Sequence, residues 1–227
     1  MSAWLRVKRR IFRFLATALA HILARMDMSG LERIRDSKGT VVLVCNHLGR
    51  FDALLTLALV RRDDLIVVVA EKYRKYAFAR WMAKTLDMLF LERFDSDIGT
   101  LKEVLRRLQR GGILVISPEG TRSPTEALLE GKPGAAYLVG KTGATVIPVG
   151  VTGTEDRAAS ERLRRFRRLH IRVVVGRPFQ MPLIPRENRD QYLQQYTDEI
   201  MAQIAALLPK EYRGVYENHP RVAELIA

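Results

Sequence analysis

Thr40-Val41-Val42-Leu43-Val44-Cys45-Asn46-His47-Leu48-Gly49-Arg50-Phe51-Asp52 decides how this chain folds. Its first six residues read as a buried strand, and the apolar run from Ala53 to Val60 reads as a helix. Between them lies a break that holds a histidine and an aspartate five positions apart. On an unbroken helix such positions point roughly 140° apart. On a strand they face opposite sides of a sheet. His47 and Asp52 therefore meet only if the chain turns between them, and Gly49 can supply the turn. Asp52 then falls at the start of the helix, where a carboxylate is electrostatically favoured. Alone the pair is a weak signal, because Asp52 can equally be an ordinary helix-start acid and His47 a loop residue.

Outward from this stretch, further strands are expected at Leu65 to Ala70, Met88 to Leu91, Ile113 to Ser117, Thr145 to Val151 and Ile171 to Val175. Helical patterns fill Arg74 to Leu86, Ile98 to Arg110, Ala135 to Lys141 and Arg189 to Leu208. Valine- and isoleucine-rich strands spaced by helices predict an α/β fold. Its single mixed, largely parallel sheet should be covered by helices on both faces. Function in such sheets gathers in loops at strand ends. At 227 residues and 48% hydrophobic content the chain can bury one sizeable core.

The N-terminal segment is different in kind. From Met1 to Met26 there are six Lys or Arg residues and no acidic one. Trp4, Val7, Ile11, Leu15, Ala18 and Ile22 recur at helical spacing, and Arg6, Arg10, Arg13, Thr17, His21 and Arg25 recur on the other side. This predicts a basic amphipathic helix of the kind that lies in a lipid interface, with Trp4, Arg6, Arg10, Ile11 and Phe14 as membrane-binding residues. Its longest stretch free of Lys and Arg, Phe14 to Ala24, is too short to span hydrocarbon. The expected organisation is a helical arm over 1–30, a connector from Asp27 to Lys38, and one domain over 31–227. The net charge of +13 calls for an anionic partner: phospholipid, nucleic acid or a phosphorylated substrate. A single cysteine, Cys45, excludes an internal disulfide framework and a multi-cysteine metal site, and fits a reducing cytoplasmic setting. A nucleophile paired with His47 is one role for Cys45; a small buried filler is the favoured one. A second basic cluster, Arg162 to Arg168, is either a solvated surface or an extension of the anion-facing one, within a segment from Gly150 to Leu169 expected to be variable surface.

Three further blocks accompany the first: Phe90-Leu91-Glu92-Arg93, then Pro118-Glu119-Gly120-Thr121-Arg122-Ser123, then Val146-Ile147-Pro148-Val149. In this order they resemble the 1-acylglycerol-3-phosphate acyltransferase family of glycerolipid acyltransferases. The first and third blocks carry most of that resemblance, and Gly176 to Phe179 adds a weaker one. It implies that His47 is a general base toward a lipid hydroxyl and Asp52 its orienting carboxylate, with no acyl-enzyme intermediate. No Gly-x-Ser-x-Gly occurs in the chain. Arg122 is the leading phosphate ligand, Arg93 the second cation the family implies, and Lys132 a third. Glu119, with Gly120 and Thr121, either orients this turn or binds acceptor hydroxyls. The family often has serine where this chain has Gly49, which puts a hydroxyl role there in doubt.

The expected reaction moves a fatty acyl group from acyl-CoA or acyl-carrier protein, a co-substrate rather than a bound cofactor, to the hydroxyl of a lysophosphatidic-acid-type acceptor. The setting is phospholipid synthesis at the cytoplasmic face of a membrane, with the protein peripheral. An imidazole suits the proton transfer because its ordinary pKa lies near neutrality. No metal is expected, since His21, His47, His170 and His219 show no ligand spacing. Alternatives are another lysolipid or glycerol 3-phosphate as acceptor, a non-catalytic membrane-docking protein, and a basic nucleic-acid-binding domain. Nucleic acid is not expected, because the arm alternates cations with large aliphatics and no zinc-finger or RNA-recognition motif is present.

Overall fold

The computed structural model describes residues 3–92, 97–185 and 187–227, with side chains for all of these except Ala3, Leu5 and Arg6. In chain order the elements are α1 (Ala3–Leu23), β1 (Ala24–Ser29), α2 (Glu32–Arg35), β2 (Val41–Cys45), α3 (Phe51–Leu59), β3 (Leu65–Ile66), β4 (Val68–Ala70) and α4 (Ala77–Leu86). They continue with β5 (Leu89–Leu91), α5 (Ile98–Gln109), β6 (Ile113–Ile116), α6 (Gly134–Thr142), β7 (Thr145–Thr152), α7 (Asp156–Arg164), β8 (Leu169–Val175), α8 (Arg189–Ala206) and α9 (Pro220–Ile226).

Six strands form the main sheet in the order β1-β8-β7-β2-β6-β3. Its pairings are parallel except β7 with β8, so the sheet is mixed and largely parallel, as the strand composition predicts. β2 lies centrally between β6 and β7. Its Val42 and Val44 join a core closed by α5, α6 and α8, including Leu108, Val139 and Ile200. Val41 and Leu43 join the opposite core with Ile34 of α2, Leu55 of α3 and Ala159 of α7. Burial on both faces accounts for the unbroken apolar run of this strand.

Several elements depart from the sequence reading. The expected connector begins inside β1, which pairs in parallel with β8 along the sheet edge. Its Ala-Arg-Met-Asp-Met-Ser sequence alternates core and solvent and lacks the aliphatic density of the inner strands. Leu65 to Ala70 is two strands: β3 stays in the main sheet, while β4 leaves it to pair with β5. The segment expected to be variable surface contains α7, and α9 lies in a stretch with no predicted element.

α1 packs on α3 and α4 with its polarity inverted. The Arg9 side chain is only 10% exposed and reaches Asp87. Its guanidinium also donates to the carbonyls of Thr85 and Asp63. Arg13 donates to the Arg62 carbonyl at 2.7 Å and pairs with the Asp63 carboxylate, holding that carboxyl below its ordinary range. Beside them Phe12 and Ala16 pack against Leu57, Met82 and Leu86. The outward face carries Trp4 at 67% exposure and Phe14 at 71%, along with Val7, Ile11, Leu15, Leu19 and Ile22. Part of the arginine face thus points into the protein and the large apolar residues point away from it. Arg25, counted with the helix in the sequence pattern, belongs to β1. No described helix is long and apolar enough to cross a membrane.

Candidate active site

β2 ends at Cys45, and the next residue fixes how the chain leaves the sheet. Asn46 is buried, and its side chain both accepts from the Val151 N–H and donates to the Val151 carbonyl, each at 2.8 Å. This side-chain amide extends the ladder to β7 by one position and satisfies two backbone groups at the sheet's end. Its amide is therefore committed to holding the loop and is not offered to a substrate.

The turn that follows brings His47 and Asp52 together. His47 Nδ1 lies 2.8 Å from Asp52 Oδ2, and the same oxygen accepts the N–H groups of Leu48 at 3.0 Å and Gly49 at 3.1 Å. Asp52 sits in the first turn of α3, as its carboxylate at a helix start requires. A carboxylate facing Nδ1 fixes the tautomer with its proton there, leaving Nε2 as the basic nitrogen. The turn does not use a left-handed glycine. Gly49 is required for another reason: a Cβ there would run into the Thr154 carbonyl and crowd the Asp156 carboxylate.

The Glu119 loop clamps this bend from below. Glu119 is 2% exposed and accepts the His47 N–H at 2.9 Å and the Leu129 N–H at 2.9 Å. In return the Ser123 N–H donates to the His47 carbonyl at 2.9 Å. The backbone of His47 is thus held on both sides by the segment after β6. Burial pushes the Glu119 carboxyl above its ordinary value, opposed by these N–H donors. So enclosed, this carboxylate is placed to hold the loop through the His47 and Leu129 N–H groups. Burial, with Asp52 and Glu119 nearby, also pushes the Cys45 thiol upward, which disfavours the thiolate a nucleophile would need.

Of the predicted cations, Lys132 and Arg122 lie on this same rim. Lys132 extends along Gly120, whose positive φ and missing Cβ make room for the lysine stem. The Lys132 N–H anchors to the Pro118 carbonyl at 2.8 Å. Thr121 is exposed at the tip of the turn. Arg122 pairs with Asp156, the first residue of α7, and Asp156 also accepts the Arg50 N–H at 2.8 Å. Asp156 and the Asn46 clasp are absent from the sequence reading: Asp156 lies within the stretch taken as variable surface. Arg93 lies outside the described residues, as does the side chain of Arg6. The amides of His47, Leu48, Gly49 and Arg50 are all engaged with carboxylates, so this loop's N–H groups serve to shape it. A small apolar cavity, lined by Leu43, Leu55, Leu59 and Val115, opens beside Asp52 and Cys45.

A family model described as Acyltransferase matches residues 25–152, which span the bend, the Glu119 turn and β7. A chloroplast 1-acyl-sn-glycerol-3-phosphate acyltransferase of Arabidopsis thaliana is 25% identical over 183 residues, covering 75% of this chain and 49% of that protein. One from Brassica napus is 25% identical over 185 residues, covering 76% and 52%. The chain thus spans about half the length of these curated relatives. The crystal structure of the 1-acyl-sn-glycerophosphate acyltransferase PlsC from Thermotoga maritima superposes with a TM-score of 0.60. Its identity is 22%, and the match covers 83% of this chain and 78% of that one. That likeness establishes the shared fold.

Proposed function

This chain belongs to the acyltransferase family, and on that premise we propose that it moves a fatty acyl group from an acyl thioester, acyl-CoA or acyl-carrier protein, to the free hydroxyl of a lysophosphatidic-acid-type acceptor. The observation that carries the reading is the His47–Asp52 contact at 2.8 Å inside a bend locked by Glu119. Nε2 of His47 takes the hydroxyl proton as the alkoxide oxygen attacks the thioester carbonyl. Asp52 stabilises the imidazolium that results. The tetrahedral intermediate then collapses, the carbon–sulfur bond breaks, and the departing thiolate recovers the proton from His47. One ester forms, one thioester is consumed, and no bond to the enzyme is made. Arg122 and Lys132 hold the acceptor phosphate, Arg122 through paired guanidinium hydrogen bonds and Lys132 as a point charge. The test is radiolabelled acyl transfer over a panel of lysolipids and glycerol 3-phosphate with each donor. His47→Ala should lower turnover by about 10²- to 10⁴-fold with an unchanged circular dichroism spectrum. Retained turnover removes His47 as the base.

The same chain, in this reading, works as a peripheral protein on the cytoplasmic leaflet. Support comes from the inverted α1: Trp4, Ile11 and Phe14 face outward while Arg9 is buried. Tyr76, Phe78 and Trp81 at the start of α4 are exposed beside it, with Trp81 edge-on to Phe12 at 6.1 Å between ring centroids. Lys8 lies over Trp4 and Lys75 over Tyr76, which places cations around the aromatic rings. Large apolar side chains ringed by cations suit the headgroup boundary of an anionic leaflet.

A further inference from the structure

Asp156 stands in the way of the anion that Arg122 is assigned to bind. Its Oδ2 pairs with the Arg122 guanidinium, and its Oδ1 accepts the Arg50 N–H at the entrance to α3. A guanidinium and a helix-start N–H are the donor types that hold phosphate in proteins. Here a carboxylate of the chain itself occupies them. The approach is made possible by Gly49, since any side chain there would collide with Thr154 and press on Asp156. The Asp156 side chain is 40% exposed, so it can swing out to solvent without breaking the core. With its carboxylate in place, Arg122 and Asp156 together carry no net charge toward an approaching ligand.

We propose that Asp156 is an internal counter-ion that the acceptor's phosphate displaces from Arg122, so that this one carboxylate sets how tightly phosphorylated acceptors bind. The inference rests on the phosphate-binding role of Arg122 given above. It makes Asp156 a specificity-determining residue that acts only on ligands carrying phosphate. An acceptor without phosphate has no means of displacing the carboxylate and gains nothing from its removal.

The decisive substitution is Asp156→Asn, which keeps an oxygen for the Arg50 N–H and removes the charge facing Arg122. Calorimetric titration of the full chain with glycerol 3-phosphate should show a dissociation constant about two- to fivefold lower than wild type, the range expected for an exposed ion pair. The KM for lysophosphatidic acid should fall by the same factor, and that for an unphosphorylated monoacylglycerol should not. Weaker or unchanged glycerol 3-phosphate binding overturns the proposal, because it makes Asp156 a support for Arg122 or a bystander. Arg122→Ala separates the two readings. If it weakens glycerol 3-phosphate binding while Asp156→Asn fails to tighten it, the counter-ion role alone falls. If Arg122→Ala leaves that binding unchanged, the phosphate role of Arg122 falls, and the counter-ion with it.

Discussion

The His47 bend and helix α1 break the usual inside–outside rule in opposite directions. At the bend, Asn46 and Glu119 are buried polar groups, each tied into the backbone by two hydrogen bonds to N–H or carbonyl partners. Along α1, Trp4, Ile11 and Phe14 are large apolar groups left outside. The contrast separates two kinds of expense. Buried polar atoms fix one geometry to tenths of an ångström and are costly if any partner is lost. Exposed apolar atoms fix nothing in the folded chain and signal something that covers them. A helix whose buried face carries Arg9 and Arg13 holds its position through ion pairs and carbonyls, which frees its hydrophobic side for contact elsewhere.

The contrast can be broken most sharply at Asp52. Asp52→Asn keeps the side-chain shape but removes the charge opposite His47, and kcat should fall by about 10³- to 10⁴-fold, as in carboxylate-oriented triads. A smaller loss than tenfold in steady-state turnover would mean that His47 needs no partner. The exposed region predicts the opposite signature. Replacing Trp4, Ile11 and Phe14 together by serine should lower partitioning onto anionic vesicles by at least about 100-fold, since three apolar side chains at roughly 1 kcal/mol or more each sum to about 3 kcal/mol or more. The melting temperature should be unchanged, because those side chains touch little of the protein. Undiminished sedimentation with vesicles would remove α1 as the anchor.

Glu119→Gln tests whether the buried region is as unforgiving as its hydrogen bonds imply. An amide offers one oxygen where two N–H groups now find acceptors, so one buried donor is stranded. Denaturant titration should show a loss of about 1–3 kcal/mol. Turnover should fall with it, since the His47 backbone loses one of its two restraints. The smallest effect is a pH slope. Burial holds the Glu119 carboxyl above its ordinary 4.5, so the folded chain keeps that proton where the unfolded chain has released it. This group therefore subtracts stability as pH rises from about 4.5 toward its folded value. Between those limits stability of the glutamine variant should decline less with rising pH than that of wild type, as measured by unfolding at several pH values.

Much of this was readable from sequence where one residue answers to one strong force. β2, β6 and β7 announce themselves because burial on both faces demands apolar residues at nearly every position; β8 does so by alternation, with Leu169, Ile171, Val173 and Val175 buried while His170 and Arg172 face solvent. His47, Asp52 and Glu119 were recognisable as chemistry-bearing residues beside strand ends, and the fold brings them together. β1 was hidden because an edge strand has only one face to bury, so Arg25 and Asp27 dilute its pattern. The division of Leu65 to Ala70 between two sheets has no marker in a uniformly apolar run. The clasp of Asn46 on Val151 and the pairing of Asp156 are hidden from the sequence for a further reason. Their roles are set by partners 105 and 106 positions away in the chain, Val151 and Arg50, and no local periodicity encodes such a distance. The direction in which α1 presents its two faces was equally beyond a helical wheel, which shows that faces differ but not which of them meets the protein.

Position 49 carries a consequence for how this sequence can change. With no room for even a methyl group beneath the Thr154 carbonyl, a mutation from Gly49 to any other residue must be matched by a retreat of the turn that opens α7. The two segments are therefore bound to drift as a pair across generations. Relatives that carry a side chain at this point should also differ in the length or course of the turn corresponding to 153–156.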